Sequence, residues 1–137
     1  MKNILIVGFV VLALLGGMWW SQTLEKTAND TVTTNGLHSH PELEIYVKGE
    51  KIDIPQNLGL GAVHSPIHTH DDVPIIHLEF SGVVTERDMK LAEFFKVWGK
   101  DINSFGSDIQ MTVNGENNTE FGNYVMKNGD KIVLRYE

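Results

Sequence analysis

All six histidines of this 137-residue chain lie in a single segment, between Leu37 and Phe80. The segment holds two His-x-His pairs and one His-x-Glu pair, and no other part of the chain concentrates side chains that can ligate a metal. Any fold of the chain therefore has to accommodate a dense group of imidazoles in one short stretch. The six residues are His38, His40, His64, His68, His70 and His77.

The spacing of these residues predicts a metal site. In an extended chain, residues i and i+2 project to the same side, so His68 and His70 offer two imidazoles from one short segment. His77 and Glu79 form a similar pair, and a short turn separates the two pairs. The sequence predicts a site made of His68, His70 and His77, with Glu79 or Asp71 as a fourth ligand or as a hydrogen-bond partner of the ligands.

The other histidines are weaker candidates. His38 and His40 lie just before a predicted β-hairpin, where they either join the same site or form a second one. His64 lies in a loop and is the least favoured ligand. Each histidine also has an interpretation without metal. Loop histidines are often only solvated, His38 and His40 can be a polar entry to a strand, and His77 can be a core histidine bonded to a backbone carbonyl.

The available donor atoms narrow the choice of ion. The chain has no cysteine, which excludes disulfides, thiolate zinc sites and iron–sulfur clusters. Imidazole with carboxylate suits Zn(II), Cu(II), Ni(II) or Fe(II), and we expect Zn or Cu. Met111 and Met126 offer thioethers for Cu(I), but their places in alternating segments favour core positions. The carboxylates are too dispersed for a calcium loop.

The charge of the chain argues against a nucleic-acid partner. The formal net charge is −7 at pH 7, and removal of the N-terminal segment with Lys2 makes the remainder more acidic still. Phosphate binding needs clustered lysine and arginine, which this chain lacks. An acidic domain is compatible with the capture of cations.

The N-terminus carries a long apolar run, from Ile4 to Trp20, without a charged residue. It is longer than the apolar core of most signal peptides and shorter than most spanning helices. We interpret residues 1–20 as a transmembrane anchor, with a cleaved signal as the alternative. Lys2 favours a cytoplasmic N-terminus, which places the rest of the chain on the extracytoplasmic side. The polar residues 21–35 are predicted to be a linker.

Residues 36–137 are predicted to fold as one domain. Period-two alternation predicts a β-hairpin over Leu43–Ile54 and strands at Ile75–Phe80, Ile109–Val113 and Lys131–Tyr136. A further short strand is possible at residues 124–126. The Asn-Gly and Lys-Gly pairs between alternating segments mark turns.

One helix is predicted, beginning at Thr85 in a sequence like a capping box and ending at Gly99. Its apolar side chains recur with helical spacing and are assigned to the core. They are Leu91, Phe94, Phe95 and Trp98.

The order of the elements predicts an α+β domain with one helix packed on a mostly antiparallel sheet. The last part of the chain, from Asn114-Gly115 to Lys131-Ile132-Val133-Leu134, resembles the closing strands of a β-grasp (ubiquitin-like) fold. Sulfur-carrier members of that fold end in Gly-Gly, whereas this chain ends in Arg135-Tyr136-Glu137. The resemblance therefore implies a topology and no carrier activity.

Four sequence patterns in residues 36–137 resemble those of a group of small exported prokaryotic proteins rich in histidine. The patterns are Leu-His-x-His-Pro, Ile-His-Thr-His-Asp, Ile-His-Leu-Glu and Leu-Ala-Glu-Phe-Phe-x-x-Trp-Gly-Lys. The resemblance implies export, membrane anchoring and a shared histidine-rich segment, and it implies no activity.

The function that the sequence favours is a membrane-anchored, extracytoplasmic domain that binds a transition-metal ion for storage, delivery or sensing. The alternative is a non-catalytic module that docks on an envelope protein partner, with histidines in hydrogen-bonding or pH-sensing roles. A zinc-dependent hydrolase is the third hypothesis. It has less support, because the chain has neither a His-Glu-x-x-His motif nor a serine in a nucleophile-elbow sequence.

Overall fold

The computed structural model describes residue 8, residues 12–18 and residues 30–137. Residues 8 and 12–18 are helical. Among the described residues, no helix has the length and apolar character needed to cross a membrane. Most of the predicted anchor (residues 1–20) and linker (residues 21–35) lies outside the described residues. The chain divides into two units, Met1–Thr31 and Val32–Glu137, and the second unit contains every histidine.

From residue 30 onward the chain forms ten strands, one α-helix and two short 3₁₀-helices. The strands are β1 (Thr31–Thr33), β2 (Leu37–Ser39), β3 (Glu42–Val47), β4 (Glu50–Ile52), β5 (Ile67–His68), β6 (His77–Phe80), β7 (Val84–Thr85), β8 (Ile109–Val113), β9 (Glu116–Asn118) and β10 (Lys131–Tyr136). The α-helix is α1 (Leu91–Val97), and the 3₁₀-helices are Glu86–Met89 and Phe121–Asn123.

Five strands form the largest sheet, in the order β4-β3-β10-β8-β9. The central strands β3 and β10 are parallel, and the other neighbouring pairs are antiparallel. Two-residue turns close the β3–β4 hairpin at Lys48 and Gly49 and the β8–β9 hairpin at Asn114 and Gly115. The backbone φ angle is positive at all four residues. Such turns match the twist of the strands they join, which explains the hairpins. The α+β class and the predominance of antiparallel pairing are confirmed.

The core lies between the large sheet and α1. Alternate residues of β3 and β10, together with Met111 of β8, are buried in the same cluster as the helix residues, as their period-two pattern predicts. The helix buries Leu91, Phe94 and Phe95, which confirms three residues of the stripe as core, and Trp98, just after the helix, is partly buried against them. Met111 and Met126 are buried with them, so the thioethers belong to the core. The strand residues in this cluster include Leu43, Ile45, Ile132, Leu134 and Tyr136.

A smaller antiparallel sheet, in the order β2-β6-β5, carries the histidine segment. Ile67 of β5 and Ser39 of β2 lie opposite Leu78 of β6, and all three residues are buried. This face of the small sheet therefore belongs to the core. Two hydrogen bonds fix the small sheet beside β3: the Ile76 N–H donates to the Pro41 carbonyl, and the Leu43 N–H donates to the Pro74 carbonyl.

The prediction of one continuous helix from Thr85 to Gly99 was wrong. Residues Glu86–Met89 form a 3₁₀-helix, Lys90 is extended, and α1 begins at Leu91. Lys90 forms a β-bridge with Val125. The flanking Leu91 N–H donates to the Tyr124 carbonyl, and the Met126 N–H donates to the Met89 carbonyl. These long-range bonds replace helical ones, so the helix is interrupted.

Three strands differ from the prediction. Strand β1 lies within the residues predicted to be a linker. The regular part of the strand predicted at Ile75–Phe80 begins at His77, although Ile75 forms a bridge with Glu42. The short strand suggested near Val125 is that single bridge to Lys90.

Asp130 joins the turn before β10 to its neighbours. Its buried carboxylate accepts hydrogen bonds from the Tyr124 hydroxyl at 2.6 Å, the Lys127 N–H at 2.8 Å and the Asn114 side-chain amide at 3.0 Å. Burial and the neighbouring Asp130 carboxylate raise the pKa of Tyr124, so its hydroxyl remains a donor. A buried carboxylate is tolerated because donors of this kind surround it.

We expect Asp130→Ala to lower the free energy of unfolding by about 2–4 kcal/mol, because the substitution leaves the buried Tyr124 hydroxyl and two part-buried donors without an acceptor. Chemical denaturation followed by circular dichroism measures the change. The matched control is Asp53→Ala, which removes an exposed carboxylate. Equal stability of the Asp130→Ala variant and the wild type would contradict this role.

Candidate metal centre

One face of the small sheet carries the side chains that are candidate metal ligands. His77 and Glu79 project from the central strand β6 on the side opposite Leu78, as alternation requires. His38 of β2 lies opposite Glu79, and His68 of β5 lies opposite His77. The antiparallel registers thus place three separate sequence patterns side by side. His40 and His70 continue the same alternation just beyond the ends of their strands.

The five imidazoles on this face form a continuous cluster. The ring centroids of His38 and His40 are 4.6 Å apart, and those of His40 and His77 are 4.8 Å apart. On the other side, the His77 ring lies 4.7 Å from the His70 ring and 5.4 Å from the His68 ring. His77 is therefore the centre of the cluster, with one His-x-His pair on each side.

Two groups of three histidines have donor atoms close enough to hold a metal ion. We call His68, His70 and His77 the inner group and His38, His40 and His77 the outer group. In each group, one nitrogen from every ring lies within 4.8 Å of the others. A tetrahedral zinc ion separates its nitrogen ligands by roughly 3.3 Å, so side-chain movements of about 1 Å close either group around an ion.

His68 is held in an orientation suited to metal binding. Its Nδ1 lies 3.1 Å from the Ser65 carbonyl oxygen, so Nδ1–H is the donor and Nε2 keeps its lone pair. Burial lowers the pKa of His68, and the hydrogen bond to Ser65 only partly opposes this effect. A neutral ring with one nitrogen fixed by a carbonyl is the usual state of a metal-ligating histidine.

His77 is oriented by a carboxylate. Its Nε2 lies 3.1 Å from both carboxylate oxygens of Asp72, so Nε2–H is the donor and Nδ1 keeps its lone pair. Desolvation acts to raise the pKa of Asp72, but the hydrogen bond from His77 opposes it and the net effect is a lowered pKa. Asp72 is thus ionised at neutral pH, as a carboxylate that supports a ligating histidine should be.

Glu79 lies at the outer side of the cluster. Its Oε1 is 3.0 Å from His38 Nε2 and 3.9 Å from His77 Nδ1. The first distance is that of a hydrogen bond, while the second leaves room for an adjustment of either side chain. Glu79 is therefore a hydrogen-bond partner of His38 at the edge of the outer group.

The two groups differ in exposure to solvent. His68 is 4% exposed and His77 is 9% exposed, whereas the side chain of His38 is 63% exposed. His40 and His70 are half-buried. An open groove of about 490 Å³ runs along His38 and Glu79. The outer group thus faces solvent, and the inner group lies deeper.

The structure brings together six of the seven side chains that the sequence predicts for the site. His68, His70 and His77 form one group, His38 and His40 join it through His77, and Glu79 lies beside His38 and His77.

Asp71 is exposed and belongs to neither group, and its neighbour Asp72 makes the contact with His77. The sequence shows two adjacent carboxylates, Asp71 and Asp72, after the second His-x-His pair. Strand alternation cannot tell which of them faces His77, because both lie in a turn. His64, the least favoured candidate, is exposed and lies outside both groups.

Comparisons with protein-family models, with curated proteins and with solved structures give no match to this chain. The residues of the site are therefore the basis for a proposal about its function.

The hydrogen bonds of the cluster predict two opposite tautomers in the metal-free protein. We expect His68 to carry its proton on Nδ1 and His77 to carry it on Nε2 at pH 7.5. We also expect the His68 ring to stay neutral below its usual pKa of 6.5, since burial disfavours its charged form. Two-bond proton–nitrogen NMR correlations measure both properties. The same tautomer in both rings would contradict the assigned hydrogen bonds.

Proposed function

We propose that this protein is a membrane-anchored, extracytoplasmic metal-binding protein that holds a transition-metal ion, Zn or Cu, in its histidine cluster. Its role would be storage, delivery to an envelope protein partner, or sensing. The observation that carries the proposal is the inner group, in which three histidines converge and two of them have one ring nitrogen already engaged by a protein acceptor.

The fit between these residues and a transition-metal ion rests on the donor set. Three neutral imidazoles suit Zn(II) and Cu(II), and they suit Ca²⁺ and Mg²⁺ poorly, because those ions prefer oxygen. The Ser65 carbonyl and the Asp72 carboxylate fix His68 and His77 before an ion arrives, so less ordering is needed on binding. The nearby carboxylates of Asp72 and Glu79 favour a cation at this face.

We also propose that the large sheet and α1 form a β-grasp domain. The strand order β4-β3-β10-β8-β9, with parallel central strands and a helix between the second and third strands of the sheet in sequence, supports this assignment. In a β-grasp domain of this kind, the small histidine-bearing sheet is an insertion. Its strand β2 precedes the β3–β4 hairpin, and its strands β5 and β6 lie between that hairpin and α1. The metal site is then an addition to the domain.

The proposed location rests on the sequence of the first twenty residues. An uncharged run from Ile4 to Trp20 after a single lysine is typical of an N-terminal anchor that exports the remainder of its chain. An anchored domain with a solvent-facing histidine group is suited to the capture of ions outside the cytoplasm. The acidic character of the chain is compatible with this role.

A second candidate is a zinc-dependent hydrolase, and one observation favours it. Each group supplies three histidines, and a tetrahedral zinc ion with three protein ligands keeps one position for water. Bound zinc would supply acidity to that water. We rank this candidate below binding, because the carboxylates near the inner group are engaged with histidines and none is placed as a free general base.

The first test measures metal retention by the full chain, purified without a histidine tag and loaded with Zn(II) or Cu(II). We expect a tightly held ion after dialysis against a weak chelator. His68→Ala/His70→Ala should weaken binding by more than about 100-fold, because it removes two ligands of the inner group. Elemental analysis and competition with a chromophoric chelator measure both effects.

The matched control for this test is His64→Ala, which removes an exposed histidine of the same segment that belongs to neither group. It should retain metal as the wild type does. Absence of retained metal in the wild type would overturn the proposal, and equal loss in the His64→Ala variant would point to unspecific binding by surface histidines.

A second test concerns the support of His77. We expect Asp72→Ala to weaken Zn(II) binding by roughly 10–100-fold, because His77 loses the carboxylate that fixes its ring and tautomer. Asp71→Ala removes the neighbouring carboxylate and should change the affinity much less. Competition with a chelator measures the Zn(II) affinity of both variants. A larger loss of affinity in Asp71→Ala than in Asp72→Ala would show that Asp71, and not Asp72, supports His77.

A further inference from the structure

We infer that the cluster offers one ion two alternative positions, an outer and an inner one, which share His77 and are not filled together. This inference rests on the proposed function and specifies how the site would load. The outer position would be the inlet from solvent, and the inner position would be the resting place.

The first step of the argument is the placement of His77. It is the one histidine present in both groups, because β6 is the central strand of the small sheet and has a His-x-His pair on either side. No ion can be held by three imidazoles in either position without it. The two positions therefore compete for the same side chain.

The second step is that His77 has one lone pair to offer. Its Nε2 faces both carboxylate oxygens of Asp72 at 3.1 Å, so this nitrogen carries the proton. A ring that ligates two ions at once would have to give up this proton and its bond to Asp72. With the bond kept, Nδ1 serves one ion at a time.

Charge leads to the same conclusion. Two divalent ions would bring four positive charges to a face on which, within residues 30–137, Asp72 and Glu79 are the carboxylates in contact with the imidazoles. Two neighbouring cations with so little compensation repel each other. A single ion is balanced by these two carboxylates.

Exposure and support give the two positions their order. The outer group includes the solvent-exposed His38 and adjoins the open groove, so an ion from solution reaches it first. The inner group includes the buried His68, whose ring is fixed by the Ser65 carbonyl. The better oriented and less hydrated group should bind more tightly. An ion can move inward by exchanging His38 and His40 for His68 and His70 while His77 stays bound.

The experiment uses the full chain and Co(II), whose absorption bands report ligand number and geometry. We expect the wild type to bind one Co(II) per chain. His38→Ala/His40→Ala should also bind one, with the wild-type bands but slower uptake after rapid mixing. His68→Ala/His70→Ala should bind one with different bands and roughly 100-fold weaker affinity, at the outer position. His77→Ala should weaken binding in both positions.

The outcomes separate this inference from the proposed function. If the wild type binds none of Co(II), Zn(II) and Cu(II), the proposed function fails. If it binds two ions per chain, or if His68→Ala/His70→Ala binds none even at concentrations far above those that saturate the wild type, the metal site stands and the two-position inference fails. Unchanged uptake by His38→Ala/His40→Ala would remove the inlet role. His64→Ala serves as the control for stoichiometry, bands and rate.

Discussion

The histidine-bearing face of the small sheet depends on the pairing of β6 with a strand on each side. The two flanking strands come from distant parts of the segment. Strand β2 precedes the β3–β4 hairpin, and β5 follows the long loop after that hairpin. Antiparallel pairing with β6 brings these parts into register, so that imidazoles from three strands point the same way. Without β6 the two His-x-His pairs would have no common neighbour, and His77 would not connect them.

The opposite face of the same strand fixes that register. Leu78 is fully buried, as is Ile76 just before the strand. A slip of one residue would turn Leu78 outward and bury His77 and Glu79 in the core, at a high cost in desolvation. The apolar contacts of the small sheet thus determine the placement of its polar face. The hydrogen bonds from the Ile76 N–H to the Pro41 carbonyl and from the Leu43 N–H to the Pro74 carbonyl attach the small sheet to β3. The register of the small sheet is therefore tied to the rest of the domain.

Local sequence patterns predict much of this arrangement, and long-range contacts account for the features that they miss. Period-two alternation identified β3, β8 and β10, and the spacing of His68 and His70 identified two imidazoles that the structure places in one group. The interruption at Lys90 escaped prediction, because its cause is a bridge to Val125, far along the chain. The choice of Asp72 over Asp71 escaped it for a different reason. The turn after β5 has no repeating geometry from which to infer which carboxylate faces a ring.

The arrangement of donors favours delivery over storage among the proposed roles. A storage site gains from a closed shell of four protein ligands, whereas each group here brings three histidines together. Complete release of an ion from three imidazoles would require all three bonds to break. Passage between groups that share His77 requires two bonds to be exchanged while the third persists, which lowers the barrier to movement. In this proposal ions both enter and leave at the solvent-exposed His38, where a partner with its own ligands can also reach the outer group.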